Sequence, residues 1–341
     1  MRFQWVLRAS LMFLLGASGA CSDSQEVVVY CALDRNYSEP ILKEFEKRTG
    51  IRVRAQYDAE ATKSIGLRRA LEEEASRPRC DVFWNNEILN TIALKQQGLL
   101  DTFRPMAAEG MPATFVDEDG QWFGFAARAR VLIVNTQLLP DPKDWPTSYR
   151  DLLDPTWKGK AALAKPVAGT TLTHAAAWFT RLGEEGTWNY IDGLFANEVI
   201  FTAGNAASMR VVREGKAAFG FTDTDDFNEA KLGSYPVAAV YPDNGPSGLG
   251  TLLIPNTVSI VKGAPHRAQA ERLMEFLLSE WVETTLARSS SVQIPLRPGI
   301  EAPSSVKMPS EFKVMDVDWE HVADAFKAHE AALAKRFVAG S

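Results

Sequence analysis

The chain has 341 residues, more than a single hydrophobic core usually organises, so two lobes are the default expectation. Its 46% hydrophobic and 23% charged residues are ordinary for a globular protein. A formal net charge of −6, with no dense Lys/Arg cluster, excludes nucleic acid as a partner and suits a soluble protein whose ligand carries positive charge.

Arg2 and Arg8 flank the start of an apolar run over 11–15, and Ser18, Gly19 and Ala20 supply small residues for cleavage. That is the layout of an export signal over 1–20. The run is too short to anchor a helix across a bilayer. Cys21 then opens a polar tether over 21–25, and a cysteine directly after small residues resembles a bacterial lipobox, in which the thiol is acylated after cleavage. Ser18 stands where that motif usually has Leu, so cleavage after Ala20 with release stays open beside a lipid anchor at Cys21. Either outcome puts the mature protein outside the cytoplasm, in the periplasm or at the cell surface, touching the membrane only through that anchor.

Val27-Val28-Val29-Tyr30 is a β-branched run of the kind that forms a buried parallel strand. Ser38, Glu39 and Pro40 open a helix whose Ile41, Leu42 and Phe45 recur at helical spacing, and Gly50 ends it. A strand over 51–55, a helix over 62–74, a buried strand over 81–84 and a helix over 87–97 complete a β-α-β-α-β rhythm, which specifies a doubly wound sheet. Cys31 and Cys80 end up at opposite ends of neighbouring strands, roughly 15 Å apart at about 3.3 Å per residue. A disulfide tolerates about 7 Å between Cα atoms, so both thiols are expected to be free.

A long strand over 131–135 leaves the first lobe. A second unit follows: strand 161–164, helices 171–181 and 188–196, strand 199–202, helix 206–215 and strand 217–222. The chain returns near 250–255, and helices over 267–279, 282–288 and 319–337 finish it. The expected division is lobe 1 over 26–130 and 251–341 and lobe 2 over 131–250. The fold class is α/β, each lobe a mainly parallel sheet wrapped by helices, with two crossing strands as a hinge. Ligands of open parallel sheets bind beyond the carboxyl ends of strands.

Four strand ends carry polar residues: Asp34 after the first strand, Asn86 and Glu87 after the third, Gly169-Thr170-Thr171 before a helix, and Asp223, Asp225 and Asp226 after the last lobe-2 strand. Gly169, Thr170, Thr171 and Asn205 lie at helix starts, where free N–H groups and hydroxyls favour anions, although an ordinary N-cap explains them equally. Three carboxylates within four residues repel unless solvated, protonated or paired with a cation, and hard cations prefer oxygen ligands; an acidic helix cap is the plain alternative. Arg128 and Arg130 precede the crossing strand and are expected to face opposite ways, one toward the cleft and one toward the surface. Nucleotide-binding, zinc-protease and serine-hydrolase signatures are missing. His321 and His329 read as surface or packed residues, while His174 can approach the cleft. Cys31 is the one reactive candidate for an exported enzyme; a scaffolding lipoprotein is the other rival class.

With these loops placed, the chain resembles a type II periplasmic solute-binding protein, in its ferric-ion-binding branch. The resemblance rests on Val28-Val29-Tyr30, the stretch over 45–51, Asp81-Val82-Phe83-Trp84, Gly98-Leu99-Leu100, the segment 146–159 ending in Trp157-Lys158-Gly159, Ile254-Pro255-Asn256, and Ala264-Pro265-His266. It implies an ABC-importer capture protein, a monomer that needs no cofactor, hands its cargo to a permease, and is not an enzyme. The metal of that branch is held by a tyrosine pair, a histidine and a glutamate beside a synergistic anion. Carried over, the tyrosine pair falls on Asp225 and Asp226, the histidine on Asp34, and the glutamate on Asn86 with Glu87 adjacent. The anion contacts fall on Arg128, Gly169, Thr170, Thr171 and Asn205, and Asp223 also lines the site. The implied cargo is ferric iron or another metal ion on Asp225, Asp226 and Asp34, with carbonate or phosphate. A phosphorylated or zwitterionic solute such as an amino-phosphonate is the alternative, because the phenolates that select iron are replaced.

Overall fold

The computed structural model describes residues 25–58 and 65–338; the expected signal and Cys21 lie outside them. β1 (Glu26–Cys31), β2 (Arg52–Tyr57) and β3 (Val82–Asn85) alternate with α1 (Arg35–Thr49), α2 (Ile65–Glu73) and α3 (Leu89–Gln96). β1 lies between β2 and β3 and pairs with both in parallel. Its alternation sorts side chains by face: Val27, Val29 and Cys31 enter the main core with Trp84, whereas Tyr30 joins Phe83 and the α2 residues Leu67 and Leu71. β3 is bordered by antiparallel β10 (Leu253–Val261), which also pairs with the short β4 (Leu100–Asp101) and with β5 (Phe123–Asn135).

β5 joins the lobes, and all thirteen of its residues are buried. Residues 123–129 pair with β10 in the first sheet, while 130–135 pair with β8 (Phe219–Asp223) and β9 (Val237–Val240) in the second. β8 lies parallel to β6 (Ala161–Ala164), which is parallel to β7 (Ile200–Thr202). Each lobe thus has three parallel strands and antiparallel crossing strands, wrapped in lobe 2 by α4 (Gly169–Ala196), α5 (Asn205–Arg213) and α6 (Thr224–Leu232). The second crossing runs beside the first, where the Arg130 N–H donates to the Leu252 carbonyl at 2.9 Å. α7 (Arg267–Leu277) and α8 (Glu280–Arg288) cover the first sheet. α9 (Trp319–Val338) is a strap: Glu320 and Asp324 bond Lys95 and Gln96 of α3, and further along His329 stacks on Phe179 of α4 at 3.8 Å.

The helices expected over 171–181 and 188–196 form one element, α4, broken at Gly183 (φ 73°, ψ 171°). β9 escapes sequence reading because two central alanines give a weak strand signal and its partner β5 is over a hundred residues away. Cys31 and Cys80 are free and buried, as the strand register requires. Burial pushes the Cys31 thiol up to about 12, so it stays protonated, donating weakly to the Leu33 carbonyl. No helix among the described residues is long and apolar enough to cross a membrane.

Candidate functional site

The carboxyl ends of β1 and β3 supply the lobe-1 wall. Asp34 stands at the start of α1 without capping it through its side chain. The buried Asn86 gives its carbonyl to the Arg128 guanidinium. Glu87 differs from its expected role as a ligand: its carboxylate already accepts four hydrogen bonds. Leu89 and Asn90 N–H groups donate at 2.7 and 2.9 Å, Asn85 Nδ2 at 2.9 Å, and Thr173 Oγ1 at 3.1 Å. Thr173 belongs to α4, so Glu87 caps its own helix and ties lobe 1 to lobe 2.

The lobe-2 wall is built around an ion pair that sequence reasoning missed. Arg130 and Arg128 do not face opposite ways. Residues two apart on a strand share a face, and both guanidinium groups are buried and turned toward Asp223. Arg130 Nη1 donates to Asp223 Oδ1 at 2.7 Å. Around this pair the expected anion contacts hydrogen-bond one another: Thr170 Oγ1 donates to Asp223 Oδ2 at 2.6 Å, Asn205 Nδ2 to the same oxygen at 2.9 Å, and Thr171 Oγ1 to Asn205 Oδ1 at 2.8 Å. Arg130 also reaches Thr170 and Thr171 at 3.2 and 3.1 Å, and it lies over the Phe221 ring at 4.6 Å. Burial alone would raise the Asp223 pKa; the charges of Arg130 and Arg128 and the bond from Thr170 outweigh it and hold the carboxyl below its usual range. Asp223 is therefore held in place as the counter-ion of Arg130. Gly169 opens α4 in the left-handed region (φ 58°), turning the chain from the Lys165–Ala168 loop into the helix.

Asp225 and Asp226 occupy the first turn of α6, where the helix dipole favours carboxylates. Single oxygens of Asp223, Asp225 and Asp226 lie within 4.8 Å of one another. Thr222 Oγ1 donates to Asp226 Oδ2 at 2.8 Å, and the Asp226 N–H donates to Asp225 Oδ1 at 3.0 Å. Arg128 Nη1 stands 3.9 Å from Asp225 and 4.0 Å from Asp223. Burial would lower the Arg128 pKa, yet Asp225, Asp223, Asp34 and Asp226 together raise it. Those four carboxylates come from both lobes, so a single buried cation on the hinge strand lies in the field of them all. Carboxylate oxygens clustered like those of Asp223, Asp225 and Asp226 are the donors that hard cations prefer.

Further contacts join the walls: the Ala129 N–H donates to Thr224 Oγ1 at 3.3 Å, and Asn228 Nδ2 donates to the Ser290 carbonyl at 2.8 Å. Their signals in the sequence are slight, Thr224 standing between two aspartates and Thr173 following the expected Thr170-Thr171 step. His174 does not reach the ligand groups. It packs against Trp178 and Phe221 with ring centroids at 4.9 and 5.0 Å, and neither ring nitrogen has a hydrogen-bond partner among the described residues. His266 binds Asp81 at 2.9 Å, away from the cleft.

A family model described as bacterial extracellular solute-binding protein matches residues 91–325. The chain is 27% identical over 302 residues to iron uptake protein A1 of Synechocystis sp., spanning 85% of this chain and 81% of that one. It is 25% identical over 292 residues, 83% of each chain, to a Salmonella typhi periplasmic protein whose name proposes 2-aminoethylphosphonate as the ligand. Among solved structures, iron-bound HitA of Pseudomonas aeruginosa aligns with a TM-score of 0.81 at 25% identity, covering 90% of this chain and 99% of HitA.

Proposed function

The chain belongs to the bacterial extracellular solute-binding proteins, as a type II periplasmic binding protein of the ferric-binding branch, and on that premise we propose that its cleft captures ferric iron or another hard metal ion together with a small oxyanion. It is a binding protein and not an enzyme. Asp225 and Asp226 coordinate the cation from lobe 2 and Asp34 from lobe 1. Arg128, next to them, neutralises the anion, carbonate or phosphate, against the start of α4. The observation that carries this reading is the cluster of Asp223, Asp225 and Asp226 oxygens within 4.8 Å of one another, with the Arg128 guanidinium 3.9 Å from Asp225. Lobes dividing at 130/131 and 250/251 close on the cargo, water leaves, and charge pairing inside the cleft strengthens. The loaded monomer then docks on an ABC permease. Export through the 1–20 signal and acylation at Cys21 keep it at the membrane where that permease sits.

A second reading has its own support. No tyrosine stands at the positions of the branch's phenolate pair, and juxtaposed carboxylates and guanidinium match the ammonium and phosphonate ends of a zwitterion such as an amino-phosphonate. Elemental analysis and native mass spectrometry of freshly purified protein separate the two by the mass retained. In ferric titrations with carbonate present, Asp225→Ala/Asp226→Ala should weaken binding at least about tenfold, equal to about 1.4 kcal/mol. Unchanged affinity in that variant would remove these residues from the site.

A further inference from the structure

A groove outside the cleft has the features of a second binding site. It encloses about 800 Å³, and none of Asp34, Arg128, Asp225 or Asp226 lines it. Its walls come from the turn at Thr147–Arg150, from the end of β9, and from the loop 241–249, with Lys307 reaching in from the other lobe.

The loop wall is fixed rather than loose. The Asp243 N–H donates to the Thr147 carbonyl at 2.8 Å, and the Gly250 N–H returns to the Asp243 carbonyl at 3.2 Å. Lys313 Nζ binds the Pro246 and Gly248 carbonyls at 3.1 and 2.7 Å. A Cβ on Gly248 would come within 2.1 Å of the Asp243 carbonyl oxygen, so the loop closes on itself only with glycine there. Compact loops with close ends are frequently functional.

One buried side chain lining this groove has a polar atom with no hydrogen-bond partner among the described residues, Asp243 Oδ2, on a residue 8% exposed, and beside it the Tyr149 hydroxyl is paired with Arg150. A buried polar atom without a partner is costly and calls for an explanation. Arg150 and Lys307 stand exposed at the same groove, Lys307 with its ammonium 5.0 Å from the Tyr241 ring centroid.

We infer that this groove is a second solute site that takes a small, multiply charged oxyanion bearing a hydroxyl, its charge held by Arg150 and Lys307 and its O–H donated to Asp243 Oδ2. Burial pushes the Asp243 carboxyl above its ordinary value, against the opposing pull of Ser148 and Arg150. A cavity with convergent polar groups and a perturbed carboxyl is the usual form of a small-molecule site. Because its walls belong to both lobes, an occupant also bears on their closure.

Calorimetric titration of the purified protein with citrate and, separately, inorganic phosphate tests the site and tells a carboxylate from a phosphate preference. At least one probe should bind. Arg150→Ala/Lys307→Ala should weaken that binding at least about tenfold, since each loses a charge-assisted bond. Asp225→Ala/Asp226→Ala should leave it within about twofold, and Asp243→Asn, which keeps an acceptor oxygen and removes the negative charge, should retain it. Both basic residues are exposed, so an unchanged melting temperature shows that their loss acts locally. Failure of both probes to bind overturns the inference. So does binding that survives in the Arg150/Lys307 variant but disappears in the Asp225/Asp226 variant, because the anion then sits in the cleft.

Discussion

The strand ends of the two lobes face the same cleft yet use their polar residues differently. In lobe 1, Glu87 is committed to N–H groups of its own helix and Asn86 gives a carbonyl to Arg128. In lobe 2, Asp223 is committed to Arg130, Thr170 and Asn205, while Asp225 and Asp226 follow on the first turn of α6. Aspartates two and three residues apart thus have different surroundings: one is a fully buried counter-ion of the fold, the others are partly buried on the first turn of a helix. Burial and a guanidinium partner, rather than residue type, separate structural charge from binding charge.

The largest expected effect breaks the structural half. Arg130→Met leaves the Asp223 carboxylate buried without its hydrogen-bonded guanidinium, Arg128 remaining 4.0 Å away, and should cost about 3–5 kcal/mol in urea unfolding. Adding Asp223→Asn removes the stranded charge while keeping an acceptor for Thr170 and Asn205, and should recover most of that loss. The cleft-side Asp225→Ala/Asp226→Ala variant removes partly exposed carboxylates from a helix start and should cost about 1–2 kcal/mol, clearly less than Arg130→Met. An equal loss of stability in both variants would erase the distinction between the two kinds of aspartate.

Acidity sharpens the same contrast through two separate windows. His174 is held neutral by burial and by the Arg130 charge, its pKa well below the ordinary value. The unfolded chain takes up a proton there below about pH 6.5, so stability falls from that point down to the folded pKa, by up to about 1.4 kcal/mol per pH unit. Asp223 is depressed instead. Its contribution is intact above the unfolded value of about 3.9 and is lost as pH falls through the lower folded value. Urea midpoints between pH 7 and 3 should therefore drop in two stages, and His174→Phe should flatten the first alone.

Much of this architecture is legible in the chain. The β-branched run of β1, the apolar spacing of α1 with Gly50 after it, and the acidic first turn of α6 are local signals, and local physics determines them. The aspartate cluster at the end of β8 was equally legible, because strand ends of parallel sheets are where ligands meet side chains. What resisted was long-range. Arg130 and Asp223 are 93 residues apart, and only the antiparallel register of β5 with β8 sets them opposite each other. Arg128 and Arg130 carry a period-2 signal that places them on one face, but β5 changes partners between residues 129 and 130, so a strand reading alone does not say that they serve different sheets. The engagement of Glu87 was hidden for the same reason: three of its four donors are near in sequence, but the one that matters for closure comes from residue 173.

The smallest expected effect tests that last bond. If Glu87 only caps α3, removing the Thr173 hydroxyl should affect nothing beyond local stability. If the bond also holds the lobes together, Thr173→Val, which keeps the side-chain shape, should cost about 1 kcal/mol and open the unliganded clamshell, measurable as a larger radius of gyration in small-angle scattering. Glu87→Gln loses more, because an amide presents one acceptor where the carboxylate presents two to the Leu89, Asn90, Asn85 and Thr173 donors. Stability lost in Glu87→Gln with no change of dimension in either variant would leave the residue as a cap alone. A matching expansion in both would make the β3–α3 turn a point at which cargo-driven closure is sensed by lobe 1.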